Sequence, residues 1–293
     1  MKWTVGRIIQ WSTEYLAKNG IDSPRLDSEV LLAQGLNIER ISLFLDPQRS
    51  LSSYELQSCK KLIERRSLRE PLSYITGFKE FWSLNFKVNR NVLIPRPETE
   101  ILVQKTLKIL KERYSYHTGL VHVNDIGTGC GNIAISLSKE LENLYIAATD
   151  LSEEALSIAV KNARQNNVSR QICFQKAELF GEFKSASGKN KFDLIVSNPP
   201  YIPSDEIETL APEIKDYEPR LALDGGTDGL DFYRKIISGV SICLNKGGCI
   251  IFEIGYNQGK AVREIFSKQG SFSEIEITRD YSGKNRVISA RFL

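Results

Sequence analysis

Histidine is scarce in this chain: His117 and His122 are the only two among 293 residues. The five cysteines, Cys59, Cys130, Cys173, Cys243 and Cys249, form no Cys-x-x-Cys pair. Without clustered thiols or imidazoles, no zinc-type site can be assembled from recognisable spacing, and no metal is expected. Several of the cysteines sit inside apolar runs, where a buried thiol is the plain reading. No apolar stretch approaches the length of a transmembrane span. The opening Met1-Lys2-Trp3-Thr4 leads into a patterned helix and not an apolar leader. The expectation is a cytoplasmic protein with reduced thiols and no membrane association. A dominant charge is also missing: 39 basic against 36 acidic residues leaves a net +3, which neither requires nucleic acid nor excludes a basic patch. There is no internal repeat and no low-complexity tract. What remains is ordinary globular composition, 41% hydrophobic and 26% charged, in a chain long enough for one large or two modest domains.

The first stretch reads as several short helices. Val5, Ile8, Ile9 and Leu16 recur at helical spacing, and Ser23-Pro24 looks like an N-cap followed by proline in the first turn. Ser52 and Glu55 have capping-box spacing ahead of Leu56, Cys59, Leu62 and Ile63. The same helix carries Lys60, Lys61, Arg65 and Arg66, with Arg69 beyond, and reads as a solvated basic face. From Phe81 the period changes to two: Leu84, Phe86 and Val88 alternate with polar residues. Asn89-Arg90-Asn91 is a plausible turn before Val92 to Ile94. Beyond Val121, strand-like runs (Val121–Ile126, Tyr145–Asp150, Ile172–Ala177, Phe192–Ser197, Cys249–Ile254) alternate with helical patterns, the signature of βαβ units in a parallel sheet. Two late strands, Glu274–Arg279 and Arg286–Phe292, are joined too tightly for a crossover and should pair antiparallel.

Two motifs carry the chemistry. Asp125-Ile126-Gly127-Thr128-Gly129-Cys130-Gly131-Asn132 follows the first sheet strand and opens a helix. Its glycines let the backbone approach a ligand at a helix N-terminus. The full dinucleotide fingerprint fails at Asn132, so a nucleoside without pyrophosphate fits better, with S-adenosylmethionine the obvious candidate. Asp150 ends the next strand, placed to accept from ribose hydroxyls; its other reading is an N-cap for the helix near Ser152. The second motif is Asn198-Pro199-Pro200-Tyr201 at the end of another strand. Neither proline has an N–H, so the Pro199 carbonyl points out of any ladder. With the Asn198 amide oxygen it forms a pair of acceptors beside an aromatic face, a holder for a planar NH2 group. The bland reading is a Pro-Pro turn with an Asn cap.

Together these elements resemble a class I S-adenosylmethionine-dependent methyltransferase, and more closely the HemK/PrmC family, over nearly the whole chain. The resemblance rests on Arg69-Glu70-Pro71-Leu72, Tyr74-Ile75-Thr76-Gly77, Glu80-Phe81-Trp82 and Leu93-Ile94-Pro95-Arg96-Pro97-Glu98-Thr99-Glu100. It continues through Asp125–Asn132, Ser197–Tyr201, Glu218 to Gly226, Glu253-Ile254-Gly255-Tyr256 and Gly283 to Val287. It implies a helical N-terminal domain (1–80) that contacts the protein substrate, a β-hairpin linker (81–95) and a Rossmann-like seven-stranded catalytic domain (96–293) with one antiparallel strand. It also implies the activity: methylation of the side-chain amide of the glutamine in the Gly-Gly-Gln motif of class I peptide release factors, with S-adenosylhomocysteine as product. Gly127, Gly129 and Gly131, with Thr128 and Cys130 between them, would approach the methionine part of the cofactor. Asp150 would hold the ribose, and Glu178 and Leu179 the adenine. Asn198, Pro199, Pro200 and Tyr201 would bind the substrate amide, with Asn198 also near the cofactor and Tyr201 packed on the amide plane. Arg96, Glu98 and Thr99 either line the site or serve the fold. The chain is expected to act as a monomer.

A carboxamide nitrogen is a poor nucleophile and the sulfonium a strong electrophile, so placement is the protein's main task and no general base is required. Three other readings stay open. One is the sister activity on a glutamine of a ribosomal protein. Another is a nucleic-acid amino-group methyltransferase using the basic helix, although a long target-recognition insertion is missing and no direct nucleic-acid binding is expected. The third is a non-enzymatic binder that retains the cofactor fold.

Overall fold

The structure, a computed structural model, describes residues 2–114, 119–180 and 191–293. His117 lies outside the described residues. The chain divides into two compact units, Met1–Phe78 with Ala211–Tyr217, and Lys79–Leu210 with Glu218–Leu293.

The first unit is helical: α1 (Val5–Lys18), α2 (Pro24–Leu36), α3 (Ser42–Leu45), α4 (Ser53–Ser67) and α5 (Leu72–Thr76). Val5, Ile8, Leu16, Leu31, Leu32 and Ile63 fill its core. Gly35 lets α2 cross α4 closely, because a Cβ there would sit 2.9 Å from Cys59 Sγ and 3.1 Å from its Cα. The capping box is formed: Ser52 Oγ accepts from Glu55 N at 3.2 Å, and Glu55 Oε2 accepts from Ser52 N at 2.9 Å. Ser23 makes no side-chain cap, and α2 starts on Pro24 alone. The basic face is solvated only in part: Lys61 is exposed, but the arginines turn inward. Arg66 is buried and donates to Asp27 at 2.7 Å and to Glu213 at 3.2 Å, while Arg69 reaches the same Glu213 at 2.7 Å. Arg65 makes a two-pronged pair with Glu70. Glu213 lies in the short helix α6 (Pro212–Lys215), so the far-off segment Ala211–Tyr217 belongs to this unit and not to the sheet.

In the second unit, β1 (Phe78–Phe81, whose first residue belongs to the helical unit) and β2 (Leu84–Lys87) form a two-stranded sheet. Its turn is Trp82-Ser83, both at positive φ (52° and 53°), and not Asn89–Asn91. Two non-glycine residues hold this left-handed turn because Trp82 is anchored: its N–H donates to Glu100 and its ring N–H to Glu140, each at 2.9 Å.

The main sheet contains β3 (Val121–Ile126), β4 (Leu144–Asp150), β5 (Ile172–Lys176), β6 (Phe192–Ser197), β7 (Leu244–Glu253), β8 (Phe272–Arg279) and β9 (Asn285–Phe292). Their order is β5-β4-β3-β6-β7-β9-β8, with β9 antiparallel to both neighbours. The central strands are buried almost continuously, as strands covered on both faces must be. One layer is α7 (Thr99–Tyr114), α8 (Asn132–Glu140) and α9 (Glu153–Gln165). The other is α10 (Asp231–Gly239) with α11 (Gly259–Gln269), packed on Ile195, Ile250, Phe252 and Ile288. After β3 the chain runs outward to β4 and β5, then returns to β6 on the other side of β3. That reversal opens a crevice at the carboxyl ends of β3 and β6, where ligands of such sheets bind.

Candidate active site

Sequence places Gly127 and Asn198 on either side of this crevice, because each follows directly on a strand that pairs with the other. Ile126 and Ser197 are register partners, and Ser197 Oγ closes the pair by donating to the Ile126 carbonyl at 2.7 Å. Around the crevice lies a cavity of about 430 Å³, within the roughly 300–1,000 Å³ typical of small-molecule sites. Its wall includes Gly127, Gly129, Asp150, Glu178, Leu179, Asn198, Pro199 and Pro200.

The glycine loop has two faces. Gly127 (φ 70°) and Gly129 (φ 56°) line the cavity, and a Cβ on either would meet nothing within 4 Å. This open cradle is what a close-lying ligand needs. Thr128, Cys130 and Gly131 do not line the cavity. Thr128 is buried with its hydroxyl on Asp125 Oδ2 at 2.7 Å, and Cys130 is buried too. Gly131 (φ 84°) starts α8, and a Cβ there would press on Ile135 and Ala159 at 3.0 and 3.2 Å. Gly131 keeps the same two-residue spacing as Gly127 and Gly129 yet faces the helix, so the motif's spacing alone could not separate the two sets.

Asp150 latches the loop. Its Oδ2 accepts from Gly129 N at 2.8 Å and its Oδ1 from Ser152 N at 2.9 Å. The cap of α9 is Ser152, whose Oγ accepts from Ala155 N at 3.1 Å, so the capping role assigned to Asp150 falls to its neighbour. Burial raises the Asp150 pKa, against the pull of its backbone hydrogen bonds. Asp125, one strand over, is fully buried. Its carboxyl is pushed up to about 7 by burial, the bonds from Thr128 and Ala134 lowering it and nearby Asp150 raising it. Asp125 Oδ1 has no hydrogen-bond partner among the described residues.

At the other strand end, Asn198 Nδ2 donates to Thr99 Oγ1 at 3.3 Å, leaving Oδ1 as the acceptor for a ligand. No backbone N–H of the described residues donates to the Pro199 carbonyl. Tyr201 does not line the cavity: its hydroxyl turns to Glu253 Oε1 at 3.4 Å, so it is not seen to pack on a ligand amide. Its carbonyl is held by Gln258 Nε2 at 2.8 Å, and that nitrogen also donates to Gly229 O at 3.2 Å. Gly225 and Gly229 fit against this backbone because a Cβ on either would collide with Tyr201, at 2.7 Å from Cα and 2.3 Å from the carbonyl oxygen respectively. The Glu218–Gly226 segment thus braces the Asn-Pro-Pro-Tyr turn, with Ile202 and Asp224 forming a backbone bridge.

Arg96, Glu98 and Thr99 do not line the cavity. Arg96 pairs with Glu218 at 2.5 Å, and Thr99 stands behind Asn198. Sequence reasoning missed a large part of the wall. Arg90 to Leu93, Pro219, Leu221 and Ala222 contribute to it, as do Phe232, Lys235 and Ile236 on the inner side of α10. Leu93, Pro219, Leu221 and Ala222 fall within segments that carried the resemblance but were given no place in the site. The signal available for Phe232, Lys235 and Ile236 was the amphipathic pattern of α10, which looks like core. Among the described residues there is no cluster of His, Cys, Asp and Glu that could hold a metal, and no helix is long and apolar enough to cross a membrane.

The PrmC N-terminal domain family matches residues 7–77, and the methyltransferase small domain matches residues 100–215. The release factor glutamine methyltransferase of Geobacter sulfurreducens is 40% identical over 289 residues, 99% of this chain and 97% of that protein. Its counterpart from Caulobacter vibrioides is 37% identical over 98% of this chain and 93% of that protein. Among solved structures, the human METTL16 N-terminal domain in complex with SAH aligns with a TM-score of 0.51 at 20% identity, over 85% of this chain and 87% of that one. The human Mettl16 catalytic domain with an RNA hairpin aligns at 0.55 and 19%, over 78% and 82%. At such identities the likeness speaks for the fold alone, that of class I methyltransferases.

Proposed function

The chain belongs to the release factor glutamine methyltransferase family, and from that premise we propose that it methylates the Gly-Gly-Gln glutamine of class I peptide release factors at the side-chain amide nitrogen, using S-adenosylmethionine, in the cytoplasm. The observation that carries this reading is that Asn198 and Pro199 line the same cavity as Gly127, Gly129 and Asp150, with the Asn198 NH2 turned to Thr99.

The residues fit the cofactor. Gly127 and Gly129 present bare backbone to the cavity, and Asp150 carries a carboxylate whose remaining lone pairs suit ribose hydroxyls. Glu178 and Leu179, after β5, are assigned to the adenine end, where Phe232 and Ile236 add apolar wall. Thr128, Cys130 and Gly131 act by shaping the loop. The bound cofactor supplies a methyl group on a positively charged sulfonium.

The rest is placement by this chain. Asn198 Oδ1 and the Pro199 carbonyl accept the two N–H bonds of the substrate amide and fix the direction of its nitrogen lone pair. As that nitrogen becomes pyramidal and gains charge, both acceptors bind it more strongly than they bind the planar amide, which is selective stabilisation of the transition state. The N-protonated amide then sheds its proton without a dedicated base. Tyr201 supports the turn from behind through Glu253.

Intact mass of a purified class I release factor, after incubation with this protein and S-adenosylmethionine, tests the reading. One added methyl that disappears when the Gly-Gly-Gln glutamine is replaced is the expected result. An unchanged mass, with cofactor binding established separately, overturns it and directs attention to a ribosomal protein glutamine.

A further inference from the structure

An amide side chain used as an acceptor has a weakness: a half-turn about its last bond exchanges oxygen for NH2. Asn198 can hold a substrate amide only if its own NH2 is kept away from the cavity. In the structure Thr99 Oγ1 receives that NH2 at 3.3 Å. A hydroxyl, however, can accept or donate, so Thr99 fixes Asn198 only if its own proton is committed elsewhere. On the neighbouring strand Glu253 follows Phe252, the register partner of Ser197, and ends β7 next to Asn198; it is 1% exposed, with Oε2 buried and no hydrogen bond closed on it among the described residues. Tyr201 donates to its other oxygen at 3.4 Å, and Tyr233 of α10 donates to its backbone carbonyl at 2.9 Å.

We propose that Glu253 and Thr99 are positioning residues that set the direction of a hydrogen-bond chain. The ionised Glu253 carboxylate takes the Thr99 proton, the Thr99 oxygen can then only accept from Asn198 Nδ2, and Asn198 Oδ1 is left for the substrate. When Glu253 is protonated it donates to Thr99 instead. Thr99 is then free to donate to Asn198 Oδ1, and the amide presents NH2 to the substrate's NH2. Burial pushes the Glu253 carboxyl up to about 7, the Thr99 hydroxyl and the Arg286 guanidinium lowering it, Glu98 raising it and Tyr201 lowering it. Arg286 is itself shared with Asp280 at 3.2 Å. The switch therefore falls near neutrality.

The inference rests on the amide-transfer reading for its kinetic consequence, but its first test needs no substrate. In the full-length protein, the side-chain amide NMR signals of Asn198 should shift with pH with a midpoint near 7, and Glu253→Gln should abolish that titration. No shift in the wild type overturns the proposal, even if release factors are methylated. In turnover, Thr99→Val should lower kcat about 100-fold with the KM for both substrates unchanged, and Thr99→Ser should restore most of it. The acid limb of the kcat profile should vanish in Glu253→Gln. Equal rates for the Val and Ser variants, or an acid limb that survives in Glu253→Gln, overturn it too. Failure of the wild type to methylate a release factor would count against the substrate assignment alone, because the NMR titration is read without one.

Discussion

The two units treat buried carboxylates in opposite ways. In the helical unit, Asp27 and Glu213 are both held by Arg66, and Arg69 joins the same cluster, with only arginine nitrogens (Arg69 Nε and Arg49 Nη1) left buried without a partner among its charged groups. In the sheet unit, Asp125, Glu218 and Glu253 each keep one carboxylate oxygen buried without a hydrogen bond among the described residues. A closed network holds a fold together. An open one costs stability and persists where a polar atom serves something besides packing. Asp125 is the last residue but one of β3 and Glu253 the last of β7, on either side of the strand that delivers Asn198.

The comparison breaks most sharply at Arg66. Arg66→Ala leaves Asp27 buried and unpaired, and should lower unfolding stability by about 3–5 kcal/mol in a denaturant titration. Asn198→Ala should do the reverse, cutting kcat by about 100- to 1,000-fold while the denaturation midpoint stays put; a near-wild-type rate would remove Asn198 from the proposed role. Asp150→Ala should weaken S-adenosylmethionine binding by about 10- to 100-fold by calorimetry, the scale of losing hydrogen bonds to a charged group.

The comparison also shows in the pH dependence of stability. Asp125 and Glu253 both have folded-state values raised to about 7 from 3.8 and 4.5. A raised carboxyl favours the fold while protonated. That contribution is complete below the ordinary values and is lost as pH rises through about 7. Thermal melts should therefore show the wild type losing stability between about pH 4 and pH 7 and levelling off above that, and Asp125→Asn should flatten the slope.

Much of this was legible in the sequence. Period-two and period-3.6 patterns marked the sheet strands to within a few residues, because strands buried on both faces are uninterrupted apolar runs. The capping box at Ser52 and Glu55 is local and was read correctly. The Trp82-Ser83 turn was not, since its signal is normally Gly or Asn, and here two distant carboxylates hold the geometry instead. The bond between Asn198 and Thr99 spans 99 positions, and that between Arg66 and Glu213 spans 147. No periodicity encodes such pairs. The glycine motif was found, but which of its members face the ligand depends on turn geometry that spacing does not carry.

The Gly129–Asp150 latch has a consequence for timing. A loop already tied to the neighbouring strand does not need to be ordered when a ligand arrives. Association should then run at the rate of encounter with the cavity mouth, and differences in affinity should appear in residence time. Cutting the latch with Asp150→Ala would make the loop order on binding, slowing arrival as well as shortening the stay.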